Sequence, residues 1–253
     1  MHKTGPRGTL QLGDIPVALS LLTRLPIRLE PEAYGRGART TWAWPLVGAV
    51  VAMLAAILAK IVLTLGLPAP IAALLALSLM VIVTGAMHED GLADVADGFW
   101  GGPDRARRLE IMKDSRIGAY GVIALILSLG LRGLALVSLG AALIPGLFVS
   151  ALLSRAAMAH VMQALPNARD TGLSHSTGRP GTAAVALAAG ISGFLALLIS
   201  GWAGVWAILA TLVAMLACAA IARAKIGGQT GDVLGATQQI TEIAVLLALL
   251  ATM

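Results

Sequence analysis

Apolar runs of about twenty residues recur along this chain, and they constrain its fold more than any other feature. They fall at 42–65, 71–87, 119–138, 141–165, 182–200, 203–223 and 237–253. A helix of that length crosses a hydrocarbon core about 30 Å thick, and it satisfies its own backbone hydrogen bonds in lipid. The spacing predicts an all-α, polytopic transmembrane helical bundle of about seven spans. Composition agrees: only 12% of residues are charged, where soluble domains carry about a quarter.

The chain reads as one integral membrane domain over 1–253. Its first part, 1–41, is mixed. Residues 10–29 are amphipathic, broken by Asp14, Pro16, Arg24, Pro26 and Arg28, and are expected to lie at the membrane surface or re-enter it. The first long apolar run begins too late for a cleavable secretory signal. Loops 66–69, 139–141 and 200–203 contain no Lys or Arg. The N-terminal segment and loops 88–118, 166–181 and 224–236 carry nearly all of them. By the positive-inside rule these basic segments and the N-terminus face the cytoplasm, and the functional site is expected there, with 88–118 as its catalytic loop. The net charge of +5 belongs to those loops, so membrane lipid is the expected partner and nucleic acid is not. The single cysteine, Cys218, gives no disulfide pair and no cysteine metal site.

Residues 87–121 hold Glu89, Asp90, Asp94, Asp97, Asp104, Glu110 and Asp114, more than half of the chain's 13 acidic residues. Asp90, Asp94 and Asp97 are spaced i, i+4, i+7, which puts them on one helix face. Stacked like charges repel, and a divalent cation turns the repulsion into coordination. Mg²⁺ suits carboxylate oxygens combined with phosphate and water. Glu89 lies about 100° round the helix and joins them as a candidate metal ligand at the edge. A solvated helix start, where carboxylates favour the dipole, would explain one aspartate better than three at a membrane boundary.

A Gly-Gly-Pro turn at 101–103 follows, and Asp104 is placed to cap the next helix. Arg105 and Arg108 share a face there and are candidates to grip phosphate, against the plainer reading of positive-inside flanking charge. Lys113, Asp114, Ser115 and Arg116 sit where the chain returns to the membrane, and an acid, a hydroxyl and a guanidinium at that depth look like site residues. Asp90 or Asp114 is the candidate general base, and Arg116 the candidate for neutralising developing charge. Arg155 lies inside an apolar run, where it is costly unless paired with a carboxylate or a substrate phosphate. Arg132 reads as a boundary residue. Gly227, Gly228, Thr230 and Gly231 precede the last span, and their backbone suits an anion. Asp232 adds a carboxylate on the same side, and Gln238, Gln239 and Glu242 carry its polar face into the span. Loop 166–181 is polar and fits a cover over substrate, with Asp170, His175 and Arg179 as weaker candidates.

The run MHEDGLADVADG at 87–98, with FWGG at 99–102 and RLEIMKDSRIGAYG at 108–121, resembles the signature of the cobalamin synthase (adenosylcobinamide-GDP ribazoletransferase) family. LTRLP at 22–26, WPLVG at 44–48, Ser154-Arg155 and GGQTGDVLGA at 227–236 match as well, so the resemblance covers nearly the whole chain. It implies an enzyme of the bacterial cytoplasmic membrane, dependent on Mg²⁺. Such an enzyme joins adenosylcobinamide-GDP to α-ribazole, or α-ribazole 5′-phosphate, and releases GMP. It also implies other cobalamin-assembly enzymes as partners. In that mechanism Arg108, Arg116 and Arg155 neutralise charge on the transferring group.

Two alternatives stand beside it. Asp94-x-x-Asp97-Gly98 resembles the start of the CDP-alcohol phosphotransferase signature, but Gly101-Gly102 stand where Ala-Arg is expected. A lipid phosphotransferase is therefore the nearer alternative. A cation-coupled transporter is the further one, since it expects charges near the midplane, whereas the sequence places them at the cytoplasmic edge.

Overall fold

The structure, a computed structural model, describes residues 10–252. The first residues of the expected N-terminal segment and Met253 lie outside the described residues. The chain forms α1 (Asp14–Leu22), a 3-10 segment (Pro31–Ala43), α2 (Trp44–Thr64), α3 (Ala69–Thr84), α4 (Met87–Gly101) and α5 (Arg105–Ile111). It continues through α6 (Ala119–Ser138), α7 (Leu143–Ala164), α8 (Leu173–Thr177), α9 (Thr182–Ser200), α10 (Trp202–Ile226) and α11 (Gly231–Ala251). Among the described residues, six helical segments are long and apolar enough to cross a membrane, and α3 with α4 makes a seventh if the pair is one broken span. The chain is a multi-pass, all-α membrane bundle, as its apolar runs predict.

Helices α7 and α11 form the centre: 72% and 67% of their apolar windows are buried, against 33% for α6, 28% for α9 and 22% for α10. The outer helices leave Ile, Leu and Val exposed to lipid. Small residues let the inner helices touch. A side chain at Gly91 would strike the backbone of Asp232, and one at Gly235 would strike the backbone of His88. This contact locks α4 across the first turns of α11.

The run expected as one span over 71–87 is broken. Gly85 ends α3 in the left-handed conformation, and Ala86 follows it at φ 55°. A left-handed alanine costs about 1–2 kcal/mol, so the neighbours hold it there. Arg24 N–H donates to the Val83 carbonyl at 2.7 Å, just before the break. The axis then turns by 85° into α4. Residues 88–118 are thus no open loop: they are mostly α4 and α5, and α4 is folded into the bundle against α6 and α11.

The N-terminal segment is fastened by a carboxylate that sequence reading took for a mere interruption. Asp14 has no exposed surface. It accepts from Arg36, from Trp42 Nε1 at 2.8 Å and from Gln11 N–H at 3.0 Å. Burial alone raises its pKa, and these hydrogen bonds outweigh burial and hold it below the ordinary carboxylate value.

Candidate active site

The site forms where α4 crosses the start of α11. Thr230 caps α11 by accepting from Val233 N–H at 3.3 Å, so the helix begins at Gly231, six residues before the apolar run suggests. Asp232 therefore stands in the first turn of α11, opposite Gly91. The charges acting on Asp94 are those of Asp232, Asp90, Asp97 and Arg169. Three carboxylates and one guanidinium around a half-buried aspartate give the site a negative field.

The four carboxylates expected on one cation divide. Asp90 is exposed and Asp94 half-buried, and both take part in that field. Asp97 instead accepts from Gly118 N–H at 2.7 Å and Gly121 N–H at 2.9 Å, capping α6. Glu89 turns into the bundle, where its Oε1 accepts from Arg132 Nη1 at 2.8 Å and Gln239 Nε2 at 2.9 Å. Among the described residues, no three His, Cys, Asp or Glu side chains close on one point that would hold a metal ion.

The basic candidates also find protein partners. Asp104 caps α5 as expected, accepting from Arg107 N–H at 3.0 Å. Arg105 donates to the carbonyls of Ile226 at 2.8 Å and Ala168 at 2.9 Å. Arg108 donates to those of Gly102, Lys225 and Pro103. Both fasten α5 to neighbouring loops through groups expected to grip phosphate. Lys113 and Ser115 are exposed. The Arg116 side chain is 87% exposed and pairs with Asp114 at 2.7 Å. Hydrogen bonds from Arg116 push the Asp114 carboxyl down to about 2, and a group that acidic is a poor proton acceptor near neutral pH.

The 227–231 segment pairs with loop 166–181: Gln229 N–H donates to Pro166 O, and Ala168 N–H to Gln229 O, each at 2.8 Å. A side chain at Gly228 would strike Pro166 O. Gly227 ends α10 in a left-handed conformation, and Gly231 is exposed. Arg169, which the sequence reading passed over, joins the pieces. Its Nη1 donates to Asp232 at 3.0 Å and its Nη2 to the Leu109 carbonyl at 3.2 Å.

Beside Asp232 lies a cavity of about 190 Å³. Leu21, Leu22, Trp44, Met87, Met158 and Met162 line its apolar part, together with His88. Arg169, Ser174, His175, Gln229, Thr230 and Asp232 line its polar part, so loop 166–181 does stand over a cavity.

Deeper in the bundle is a second set of charges. Arg132 is 2% exposed, so it is no boundary residue. It joins Glu89 of α4 to Glu242 of α11, with Nη2 at 2.9 Å from Glu242 Oε1. Arg155 approaches Glu242 Oε2 at 3.7 Å and donates to Ser154 Oγ at 3.3 Å. Gln238 also donates to Glu242. Charges therefore do not gather at one edge of the bundle alone. The inner set is two arginines against two glutamates, balanced and shared among four helices.

Residues 14–250 match the model of the cobalamin-5-phosphate synthase (CobS) family. The chain is 46% identical to the adenosylcobinamide-GDP ribazoletransferase of Bradyrhizobium diazoefficiens over 93% of its own length and 92% of that protein. It is 44% identical to the protein of the same name from a Sinorhizobium species, covering 94% and 96% of the two chains. It is 42% identical to that of Sinorhizobium medicae, covering 93% and 95%. No solved structure gives a significant match. The residues quoted above as a resemblance thus lie inside a match that spans nearly the whole molecule, and the chain belongs to the cobalamin-5-phosphate synthase family.

Proposed function

We propose that this chain is a membrane transferase that joins adenosylcobinamide-GDP to α-ribazole, or to α-ribazole 5′-phosphate, and releases GMP. The observation that carries this reading is the crossing of α4 and α11, which sets Asp90 and Asp94 against Asp232 beside a cavity, in a chain related end to end to ribazoletransferases.

Mg²⁺ is part of the proposal. Hard carboxylate oxygens suit it, and with Glu89 and Asp97 engaged elsewhere Asp90, Asp94 and Asp232 are the carboxylates that would draw together to hold it, since they do not close on one point in this structure. When bound it would neutralise diphosphate charge. The chain's own residues then have distinct tasks. The ribazole 3′-hydroxyl attacks the phosphorus nearest cobinamide; a P–O bond to ribazole forms as the P–O bond to GMP breaks. The hydroxyl proton goes to a carboxylate of the site, and Asp114 is held too acidic for this. Arg169 is the guanidinium closest in charge to this group and is suited to the leaving phosphate. We read the chain as a protein of the bacterial cytoplasmic membrane, surrounded by lipid and working beside other cobalamin-assembly enzymes. The end of the bundle that carries Asp90, Asp94 and Asp232 then faces the cytoplasm, in keeping with the placement of Lys and Arg.

The test is direct. The purified protein in lipid nanodiscs, given Mg²⁺ and both substrates, is expected to release one GMP per corrinoid joined, and chelation is expected to stop it. Release of a nucleotide with a lipid alcohol as acceptor, and none with α-ribazole, would overturn the reading.

A further inference from the structure

We propose that the cavity beside Asp232 is the subsite for the base of the smaller substrate. It takes a flat, neutral, largely apolar bicyclic heterocycle with a free ring nitrogen, and it turns the attached sugar toward Asp232. The proposal rests on the transferase reading and adds where the second substrate sits.

Size comes first. Typical small-molecule sites enclose about 300–1,000 Å³. At about 190 Å³ this cavity has room for a fused ring pair and not for a corrinoid or a whole nucleotide.

Chemistry narrows it further. Leu21, Leu22, Trp44, Met87, Met158 and Met162 offer a floor without formal charge, unsuited to a diphosphate. Met158 and Met162 are one turn apart on α7, and thioethers adapt well to an aromatic face. Three polar atoms among the lining residues are buried without partners, Trp44 Nε1, His88 Nε2 and Arg169 Nε. Native structures rarely leave such groups unpaired. Trp44 Nε1 can only donate, and His88 Nε2 donates in one tautomer. A ligand that brings hydrogen-bond acceptors answers them, since Arg169 Nε too can only donate. The base of α-ribazole has one free ring nitrogen, and its sugar oxygens lie next to it.

Orientation follows from α11. His88 lies against Gly235, and Asp232 lies three residues earlier, about 4.5 Å along the axis. His88, Trp44 and Asp232 line one cavity, so a base resting by His88 and Trp44 has its sugar within the same space as the Asp232 carboxylate.

The test measures binding of α-ribazole alone to the full-length protein in nanodiscs by titration calorimetry, with KM for each substrate measured separately. Met158→Trp fills the cavity and is expected to weaken α-ribazole binding by about tenfold or more. Trp44→Phe keeps the ring and removes the donor, and is expected to raise KM for α-ribazole about fivefold. In both, KM for adenosylcobinamide-GDP is expected to stay within about twofold, a split that a general loss of structure would not give. Wild-type binding of α-ribazole in both variants overturns the subsite and leaves the transferase reading standing. So does a loss confined to adenosylcobinamide-GDP. If the unaltered protein neither binds nor uses α-ribazole, the transferase reading falls and the subsite with it.

Discussion

Arg169 Nη1 bonds to the Asp232 carboxylate at 3.0 Å, while Nη2 of the same guanidinium reaches the Leu109 carbonyl. One side chain of loop 166–181 thus neutralises α11 and holds α5. On the proposed chemistry it competes with Mg²⁺ for Asp232 and then serves the phosphate. Arg169→Gln is expected to lower the Mg²⁺ concentration for half-maximal rate severalfold and to raise KM for adenosylcobinamide-GDP about tenfold, the scale of one charged hydrogen bond. Titrating both ligands checks it. A Mg²⁺ requirement that does not move would show that Arg169 and the cation do not share Asp232.

Asp94 and Asp97, three residues apart, have different tasks. Asp94→Asn is expected to reduce GMP release by about a thousandfold or more while leaving thermal unfolding in detergent unchanged. Asp97→Ala removes the cap of α6 and is expected to cost about 1–2 kcal/mol of stability. Melting curves and turnover on the same preparations separate the two. Equal melting points for the two variants would contradict this division.

The buried charges around Arg132 give a third test. Arg132→Met leaves Glu89 and Glu242 without their principal cation, and breaking such a pair costs about 3–5 kcal/mol. Adding Glu242→Gln to that variant is expected to recover part of the loss, because Arg155 then faces Glu89 with fewer excess negative charges in the bundle. A double-mutant cycle on unfolding free energy measures the coupling. Additive costs would mean that the residues act independently.

Much of the architecture was written in hydropathy, because each span must bury its backbone in a run of fixed length. The break at Gly85–Ala86 was not, since Ile82 and Val83 keep the run apolar up to it and hydropathy carries no angle. The start of α11 was hidden by polar residues, although Thr230 three positions before Val233 is a capping signal. The i, i+4, i+7 rule put Asp90, Asp94 and Asp97 on one helix correctly. It could not show that Asp97 meets N–H groups more than twenty residues downstream. Arg132 was misread because its partners, Glu89 and Glu242, are far away in sequence. Arg169 sits in a loop without periodicity, so only the fold reveals its link to Asp232.

The bend between α3 and α4 has a mechanical result. Bilayers differ in thickness, and a continuous helix answers by tilting and carrying all its side chains with it. Here α3 is set apart by the bend, while the acidic piece stays referenced to α11 through the Gly91–Asp232 and His88–Gly235 contacts.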